Sequence, residues 1–169
     1  IGVPQLSAIL NVRNGIKRKK ISIIADGGIK FSGDIAKALA AGADAVMIGS
    51  LFAGTDEAPG KIIKRGGKLF KSFRGMGSIG AMNRGSADRY YQSKQKDKSK
   101  YVAEGVEGYV KYKGRVDKIF YQLIGGLKSS MGYLGAKKIN ILKQNPKFVK
   151  ITKAGFYESM VHNIDEIKK

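Results

Sequence analysis

Residues Ile23 to Ser50 read IIADGGIKFSGDIAKALAAGADAVMIGS and contain the most regular pattern of the chain. A short apolar run ends in Asp-Gly-Gly, a helical segment follows, and a second apolar run ends in Gly-Ser. Two buried strands joined by one helix with short connections are typical of a parallel α/β sheet. The pattern predicts strands over 21–25 and 45–48. Between them it predicts a helix capped by Ser32, with Asp34 in its first turn and its end at Gly42.

The two strands end in residues suited to an anionic ligand. In β/α barrels the ligand site lies at the carboxyl ends of the strands, and the loops after the last two strands commonly hold a phosphate. Gly27, Gly28 and Gly49 let backbone N–H groups approach phosphate oxygens, and helix N-termini add a favourable dipole. Ser50 can donate a hydroxyl, and Asp26 can accept from a ribose diol. The pair of loops predicts a nucleotide site; the alternative is two ordinary turns with a capping Asp.

Composition limits the other function classes. The chain has 169 residues, of which 43% are apolar, enough for one domain with a core. No apolar run approaches the roughly 18 residues of a membrane helix, so no membrane partner is expected. Cysteine is absent and there is one histidine, which excludes disulfides, thiolate zinc sites and a cysteine nucleophile within these residues. The chain opens without an initiator Met and reads like the middle of a longer protein.

The net charge of +19 raises the question of nucleic-acid binding. The lysines are spread over the whole chain, and no zinc finger or aromatic RNA-binding signature accompanies them. A nucleic-acid partner is therefore not expected, and a basic nucleic-acid-binding module stays as the alternative from another class.

Outside the opening stretch the pattern is less regular. It predicts a helix over 4–14, a hairpin turning at Gly66-Gly67 and a Gly-rich segment after it. A second short hairpin is predicted within 109–116, a short helix within 138–144 and a last strand over 148–152. A longer helix capped by Asp117 should have as its inner face Ile119, Phe120, Leu123, Leu127 and Met131. Two βα units cannot form a stable sheet alone, so further strands are expected from more chain or from a partner.

Eight motifs then carry a family resemblance. In chain order they are GVPQ, ADGGI, VMIGSLFAGTDEAPG, RGMGSIGAM, DRYYQ, EGVEG, GGLKSSMGYLGA and ESMVHN. In this order and combination the chain resembles the IMP dehydrogenase family over essentially its whole length. The resemblance implies an α/β fold, the C-terminal portion of a TIM (β/α)8 barrel with an inserted hairpin or flap and a C-terminal extension. Its expected parts are the last βα units (1–60), the flap (61–116), a returning barrel helix (117–145) and a tail (146–169), with no independent second domain.

The resemblance also implies an activity, the NAD-dependent oxidation of IMP to XMP in guanine nucleotide synthesis. In that family a cysteine attacks C2 of the purine, hydride leaves to NAD, and the covalent intermediate is hydrolysed. The family's cysteine lies a few residues upstream of GVPQ, so this chain alone is expected to be inactive. The implied partners are IMP, NAD, the N-terminal remainder of the barrel and further copies in a homotetramer, and the implied location is the cytoplasm.

Site residues follow from the matching motifs. Arg89 and Tyr90 match the flap pair that activates water. The residues implied to bind IMP are Asp26, Gly27, Gly28, Gly49, Ser50, Phe73, Gly75, Met76, Gly77 and Glu104. Gly132 and Tyr133 match a segment near a neighbouring subunit's dinucleotide site. Glu158, Ser159 and Met160 match a segment that binds potassium at a neighbouring subunit, largely through carbonyl oxygens.

Two positions depart from the family pattern, and one rival remains. Phe73 stands where a Tyr often donates to the phosphate, and Met160 replaces a more usual His. Arg89 is a poor general base because the pKa of arginine exceeds 12, unless a closed flap desolvates it or Tyr90 shares the role. GMP reductase, a related barrel with a similar phosphate site, is the closest alternative. The Arg89-Tyr90 pair favours the dehydrogenase, since a reductase has no hydrolysis step that requires it.

Overall fold

A computed structural model describes residues 2–16, 20–93, 95, 97–144 and 146–161. Its helices are α1 (Gln5–Gly15), α2 (Ser32–Ala40), α3 (Ile79–Met82), α4 (Val116–Tyr133), α5 (Ile139–Leu142) and α6 (Lys153–Glu158). Its strands are β1 (Ile24–Asp26), β2 (Ala45–Met47), β3 (Ile62–Arg65), β4 (Lys68–Arg74) and β5 (Glu107–Lys111). No helix in these ranges is long and apolar enough to cross a membrane.

The opening stretch forms the parallel α/β unit that its sequence predicts. β1 and β2 pair in parallel, with Ile24 opposite Ala45 and Asp26 opposite Met47. Each strand has only three residues, fewer than the apolar runs indicate. Because both strands run the same way, their carboxyl ends meet at one edge, and the two glycine-bearing loops leave from that edge.

Helices cover one face of this two-stranded sheet. Side chains alternate between the faces of a strand, and Ala25 and Val46 point toward α1 and α2. These contacts form one hydrophobic core. A second hydrophobic core lies between α2 and α4, where Leu39 packs with Leu123 and Leu127. Ile24 and Met47, which belong to the opposite face, are 57% and 51% exposed. Within the described residues, that apolar face is uncovered.

A second, antiparallel sheet consists of β3, β4 and β5 in that order. The predicted hairpin is confirmed: β3 and β4 pair from Ile62–Lys71 to Arg65–Lys68 around Gly66 and Gly67. Both glycines have positive φ, +53° and +75°, as a two-residue hairpin turn requires. β5 extends the sheet from the other side of β4, with Arg74 opposite Glu107.

Two predicted helix caps are wrong. Ser32 is the first residue of α2 rather than its cap, and its side chain lies against Gly126 of α4. Asp34 satisfies the helix start instead, since its carboxylate accepts hydrogen bonds from the N–H groups of Lys30 and Phe31, both at 3.0 Å. Asp117 lies within α4 and pairs with Arg115 at 3.1 Å.

Three further predictions are wrong. Phe120 is 54% exposed, whereas Leu123 and Leu127 are buried in the core and Ile119 packs against it. Residues 109–116 do not form a hairpin, because β5 finds its ladder partner in β4 instead. Residues 148–152 form no strand; they are exposed and lack a neighbouring strand in the described part of the chain.

Candidate functional site

β1 ends in the exposed carboxylate of Asp26, and two glycines follow it. Gly27 and Gly28 have φ of +97° and +76°, a left-handed conformation that favours glycine. The Asp26 carbonyl accepts a hydrogen bond from Gln5 Nε2 at 2.9 Å, which ties this strand end to α1. The carboxylate of Asp26 is exposed and makes no hydrogen bond or ion pair within the described ranges. It is therefore available to accept from a ligand.

The loop after β2 turns at once into a helical turn. The Gly49 carbonyl accepts hydrogen bonds from the N–H groups of Phe52 at 3.1 Å and Ala53 at 3.0 Å. The N–H groups of Ser50 and Leu51 donate to no group among the residues that the structure describes. Unpaired N–H groups at the start of a helical turn form a natural binding place for an anion.

A cleft of about 1300 Å³ lies between this turn and the antiparallel sheet. Its walls include four of the residues implied to form the site, Gly49, Phe73, Met76 and Arg89. Asp26, Gly27, Gly28 and Ser50 do not line it. The lining contains four basic side chains, Lys61, Arg74, Arg84 and Arg89, and two acidic ones, Asp88 and Glu107. The excess of positive charge suits an anionic ligand.

The segment that follows β4 is packed tightly against the segment before β5. Gly75 N–H donates to the Val106 carbonyl at 2.8 Å, and the N–H groups of Glu104 and Gly105 both donate to the Gly77 carbonyl at 2.9 Å. A Cβ at Gly77 would lie 2.9 Å from the ring of Tyr90, and one at Gly105 would lie 3.0 Å from Gly77. A larger residue at either position would therefore force its neighbours to shift.

Glu107 fixes the turn that carries α3. Its carboxylate accepts a hydrogen bond from Ser78 Oγ at 2.9 Å and lies 3.5 Å from Arg74 Nε. The Ser78 hydrogen bond, followed by the charge of Arg74, lowers the pKa of Glu107. A Cβ at Gly80 would collide with this carboxylate. Sequence reasoning missed Glu107; its only sequence signal is its place in the EGVEG motif.

Arg89 and Tyr90 lie in a 3-10 turn, Ser86–Tyr90, and point to different places. Arg89 lines the cleft and has no ion pair in the part of the chain that is described. Tyr90 rests against Gly77 and lines a shallow depression of about 600 Å³ together with Glu104. The predicted catalytic pair is therefore anchored on the predicted nucleotide-binding segment.

The charged segment after this turn is closed at its base by one side chain. Gln92 donates from Nε2 to the Val102 carbonyl at 3.0 Å and accepts through Oε1 from the Val102 N–H at 2.8 Å. This pair of hydrogen bonds links Gln92 to Val102, on either side of the charged segment.

The other predicted residues lie outside the cleft. Tyr133 ends α4 and is 92% exposed, so it does not serve the core of this chain, and Gly132 beside it is also exposed. Glu158, Ser159 and Met160 lie at the exposed C-terminal end of α6. Among the described residues, no group of three or more His, Cys, Asp or Glu side chains could hold a metal ion.

Comparison with known proteins gives a consistent family. The family model described as IMP dehydrogenase / GMP reductase domain matches residues 1–162. An inosine-5'-monophosphate dehydrogenase of Chlorobaculum tepidum is 57% identical over 166 residues, 97% of this chain and 34% of the relative. One from Helicobacter pylori is 54% identical over 169 residues, 100% of this chain and 35% of the relative. The chain thus spans about a third of the length of the curated relatives it matches.

A solved structure agrees with these relatives. It is a cysteine-to-alanine variant of GMP reductase from Trypanosoma brucei in complex with guanosine 5'-monophosphate. Its TM-score with this chain is 0.83 at 47% identity, covering 98% of this chain and 33% of that one. The α/β content and this structural neighbour fit a fragment of a TIM-barrel enzyme. By the family model and by these relatives, the chain belongs to the IMP dehydrogenase / GMP reductase family.

Proposed function

We propose that this chain is part of an IMP dehydrogenase, contributing the last βα units of the barrel, the nucleotide-phosphate site and the water-activating flap. One observation carries the proposal: a single basic cleft brings together Gly49, Phe73, Met76 and Arg89, which are spread over 40 positions of the sequence. Relatives described as inosine-5'-monophosphate dehydrogenase are 54–57% identical to the chain, which supports the same assignment.

In this proposal the sheet edge holds the phosphate and ribose of IMP. The unpaired N–H groups of the turn after Gly49 donate to the phosphate, and the glycines after Asp26 allow close approach. The free carboxylate of Asp26 accepts from the ribose hydroxyls. Phe73 adds only its ring, so backbone donors and Ser50 supply the hydrogen bonds. Gly75, Met76 and Gly77 lie along the nucleotide, and Glu104 faces the hypoxanthine.

The flap pair acts after oxidation. The thiol that adds to C2 comes from outside the 169 residues, which contain no cysteine. When bound, NAD supplies the acceptor for the hydride that leaves C2. A water then attacks C2, and the carbon–sulfur bond breaks to release XMP. Arg89 lines the cleft and Tyr90 contacts Gly77 of the nucleotide-binding segment. In the proposal this pair activates that water, with Tyr90 or a desolvated, neutral Arg89 receiving the proton and the departing thiolate regaining one.

The residues assigned to NAD and potassium do not line the cleft, and we assign them to sites shared with another subunit. Tyr133 presents an exposed ring that can stack on a base, with Gly132 beside it. The carbonyl oxygens of Glu158 and Ser159 accept no hydrogen bond in the described part of the chain, and they lie at the negative end of a helix. With Met160 they could hold a cation, and the proposal includes a homotetramer in the cytoplasm.

GMP reductase is the second candidate, because the solved GMP reductase structure matches 98% of this chain. A reductase would consume GMP and a reduced nicotinamide coenzyme, and it would need no hydrolytic pair. The higher identity to the dehydrogenases and the Arg89-Tyr90 turn against Gly77 favour oxidation of IMP.

The test uses the complete enzyme that contains these residues. It is incubated in parallel with IMP plus NAD and with GMP plus reduced coenzyme, and nucleotide products are identified by mass spectrometry while nicotinamide absorbance is followed. The proposal expects XMP and NADH in equal amounts from IMP. Oxidation of the coenzyme with GMP, and no XMP from IMP, would replace the dehydrogenase assignment by the reductase.

A further inference from the structure

Lys71 is the one lysine among the buried residues of the described chain, and its position in β4 is unusual for a charge. Its side chain is 3% exposed. The side-chain nitrogen donates to the backbone carbonyl of Thr55 and, at 3.1 Å, to that of Asp56. No carboxylate lies within ion-pair distance in the ranges that the structure describes. Burying an ammonium group is costly unless dipoles compensate it, and here two carbonyl groups do so.

These two carbonyls belong to the turn that carries the proposed phosphate donors. Thr55 donates from its N–H at 3.0 Å and from its hydroxyl at 2.8 Å to the Phe52 carbonyl, and Phe52 in turn donates to Gly49. A continuous chain of hydrogen bonds therefore runs from Lys71 to Gly49. The positive charge lies where the turn presents its carbonyls, and the unpaired N–H groups lie at the other end.

Lys71 also joins the two walls of the cleft. The turn from Gly49 to Ala53 forms one wall, and Phe73 and Met76, two and five residues beyond Lys71, lie in the other. A neighbouring contact supports the same link, since Tyr112 donates from its hydroxyl to the Asp56 carboxylate at 2.6 Å. Lys113 adds a hydrogen bond from its ammonium to the Leu51 carbonyl at 3.0 Å.

We propose that Lys71 is a positioning residue for the nucleotide phosphate: its buried ammonium fixes the Gly49–Asp56 turn against β4 and so holds the N–H groups of Ser50 and Leu51, which are unpaired in the described chain, in place for the phosphate. The inference rests on the proposed function and deepens it. Lys71 touches the turn and not the ligand, so its effect should fall on recognition of the phosphate and spare the base and ribose.

The test compares IMP with inosine, which lacks the phosphate, in the complete enzyme. The ratio of the inosine to the IMP dissociation constant measures how much the phosphate contributes to binding. Lys71→Met keeps the length and apolar stem of the side chain but removes the charge and the donors. We expect it to lower this ratio by about tenfold or more while inosine binding changes by less than about twofold.

Two further variants make the result decisive. Lys64→Met removes a lysine from the same sheet whose side chain is exposed and outside the cleft, and the ratio should stay within about twofold of wild type. Tyr112→Phe removes the hydrogen bond to Asp56 and leaves Lys71 in place. We expect it to lower the ratio of the inosine to the IMP dissociation constant by about threefold. If Lys71→Met does not yield folded enzyme, Tyr112→Phe decides, and an unchanged ratio there contradicts the proposal.

The outcomes separate the two levels of inference. A wild-type preference for IMP that Lys71→Met retains, or an equal loss of IMP and inosine binding, overturns the role of Lys71 and leaves the proposed function standing. A wild-type enzyme with no preference for IMP over inosine contradicts the phosphate site itself, and the role of Lys71 with it.

Discussion

Asp26 is the residue whose surroundings make its expected role most specific. Its carboxylate is exposed and unpaired in the described chain, at the end of β1 where the proposed ribose lies. A charge-assisted hydrogen bond contributes about 1.5–3 kcal/mol. We therefore expect Asp26→Ala in the complete enzyme to raise the dissociation constant of IMP by about tenfold or more, as measured by calorimetry.

Asp117 provides the control for this substitution. It is an exposed aspartate in the first turn of α4, paired with Arg115 and outside the cleft. Asp117→Asn should leave IMP binding within about twofold. If Asp26→Ala bound IMP as tightly as this control does, Asp26 would have no place in the ribose site.

Arg89 separates two chemical steps in the proposal. It lines the cleft from the flap side, whereas the phosphate donors lie on the strand ends. We expect Arg89→Ala to slow hydrolysis of the covalent intermediate more than hydride transfer. Pre-steady-state kinetics should then show a normal burst of NADH followed by slow turnover.

Arg65→Ala serves as the matched control, because this arginine lies 5.4 Å from the Tyr109 ring at the end of β3 and does not line the cleft. Its burst and its turnover should both resemble those of the wild type. A burst in Arg89→Ala that falls in proportion to turnover would mean that Arg89 acts before hydrolysis, and the preference for dehydrogenase over reductase would lose its main sequence support.

The sequence identifies a site residue only where the neighbouring residues in the chain already indicate its role. Asp26, Gly28 and Gly49 are visible because glycines and polar residues follow apolar strands directly. Lys71 and Glu107 are not, because their partners lie 15 to 29 residues away and a lysine inside a strand pattern reads as a solvated charge. The cap predicted at Asp117 is wrong for the same reason. Glu57, which lies 59 residues before Val116, accepts the hydrogen bond from the Val116 N–H at the start of α4.

At the scale of elements, the contact between α2 and α4 organises the larger core, and adjacent glycines in α4 test it. A Cβ at Gly126 would collide with the Ser32 side chain, whereas one at Gly125 meets nothing within 4 Å. Gly126→Ala should therefore lower the free energy of unfolding by about 1–3 kcal/mol through overpacking. Gly125→Ala should raise it by about 0.5–1 kcal/mol through its higher helix propensity.

Denaturant unfolding of the two variants beside the wild type measures the difference. Opposite signs for neighbouring positions cannot arise from helix propensity alone, since both substitutions improve it equally. Equal stabilisation by the two alanines would show that α2 and α4 are not packed as the structure has them.

Elements were predictable where their pairing is local. The β1–α2–β2 unit and the β3–β4 hairpin follow from short-range patterns that carry their own turns. The pairing of β5 with β4 does not follow from a short-range pattern. Tertiary contacts decide between a hairpin within 109–116 and a ladder with β4, among them the hydrogen bond from Tyr112 N–H to the Leu69 carbonyl at 3.1 Å. The apolar residues of 148–152 mimic a strand in composition, yet no strand lies beside them in the described chain.

At the scale of the whole molecule, the two-stranded parallel sheet is incomplete. Its second face carries the exposed side chains of Ile24 and Met47, and a parallel sheet in α/β proteins is normally covered on both faces. In the proposed enzyme the remaining strands close the barrel over this face and bring the missing thiol to the cleft. Activity should therefore belong to the assembly rather than to these residues alone.

The dependence of activity on the assembly can be measured as NADH formation from IMP and NAD. The samples are the 169-residue chain, the complementary segment, and both expressed together as a folded complex. We expect neither part alone to form NADH, the complex to form it, and alkylation of a thiol in the complementary segment to abolish it. NADH from the 169-residue chain alone, or a folded complex that binds IMP and yields no NADH, would rule out an active site built from both parts.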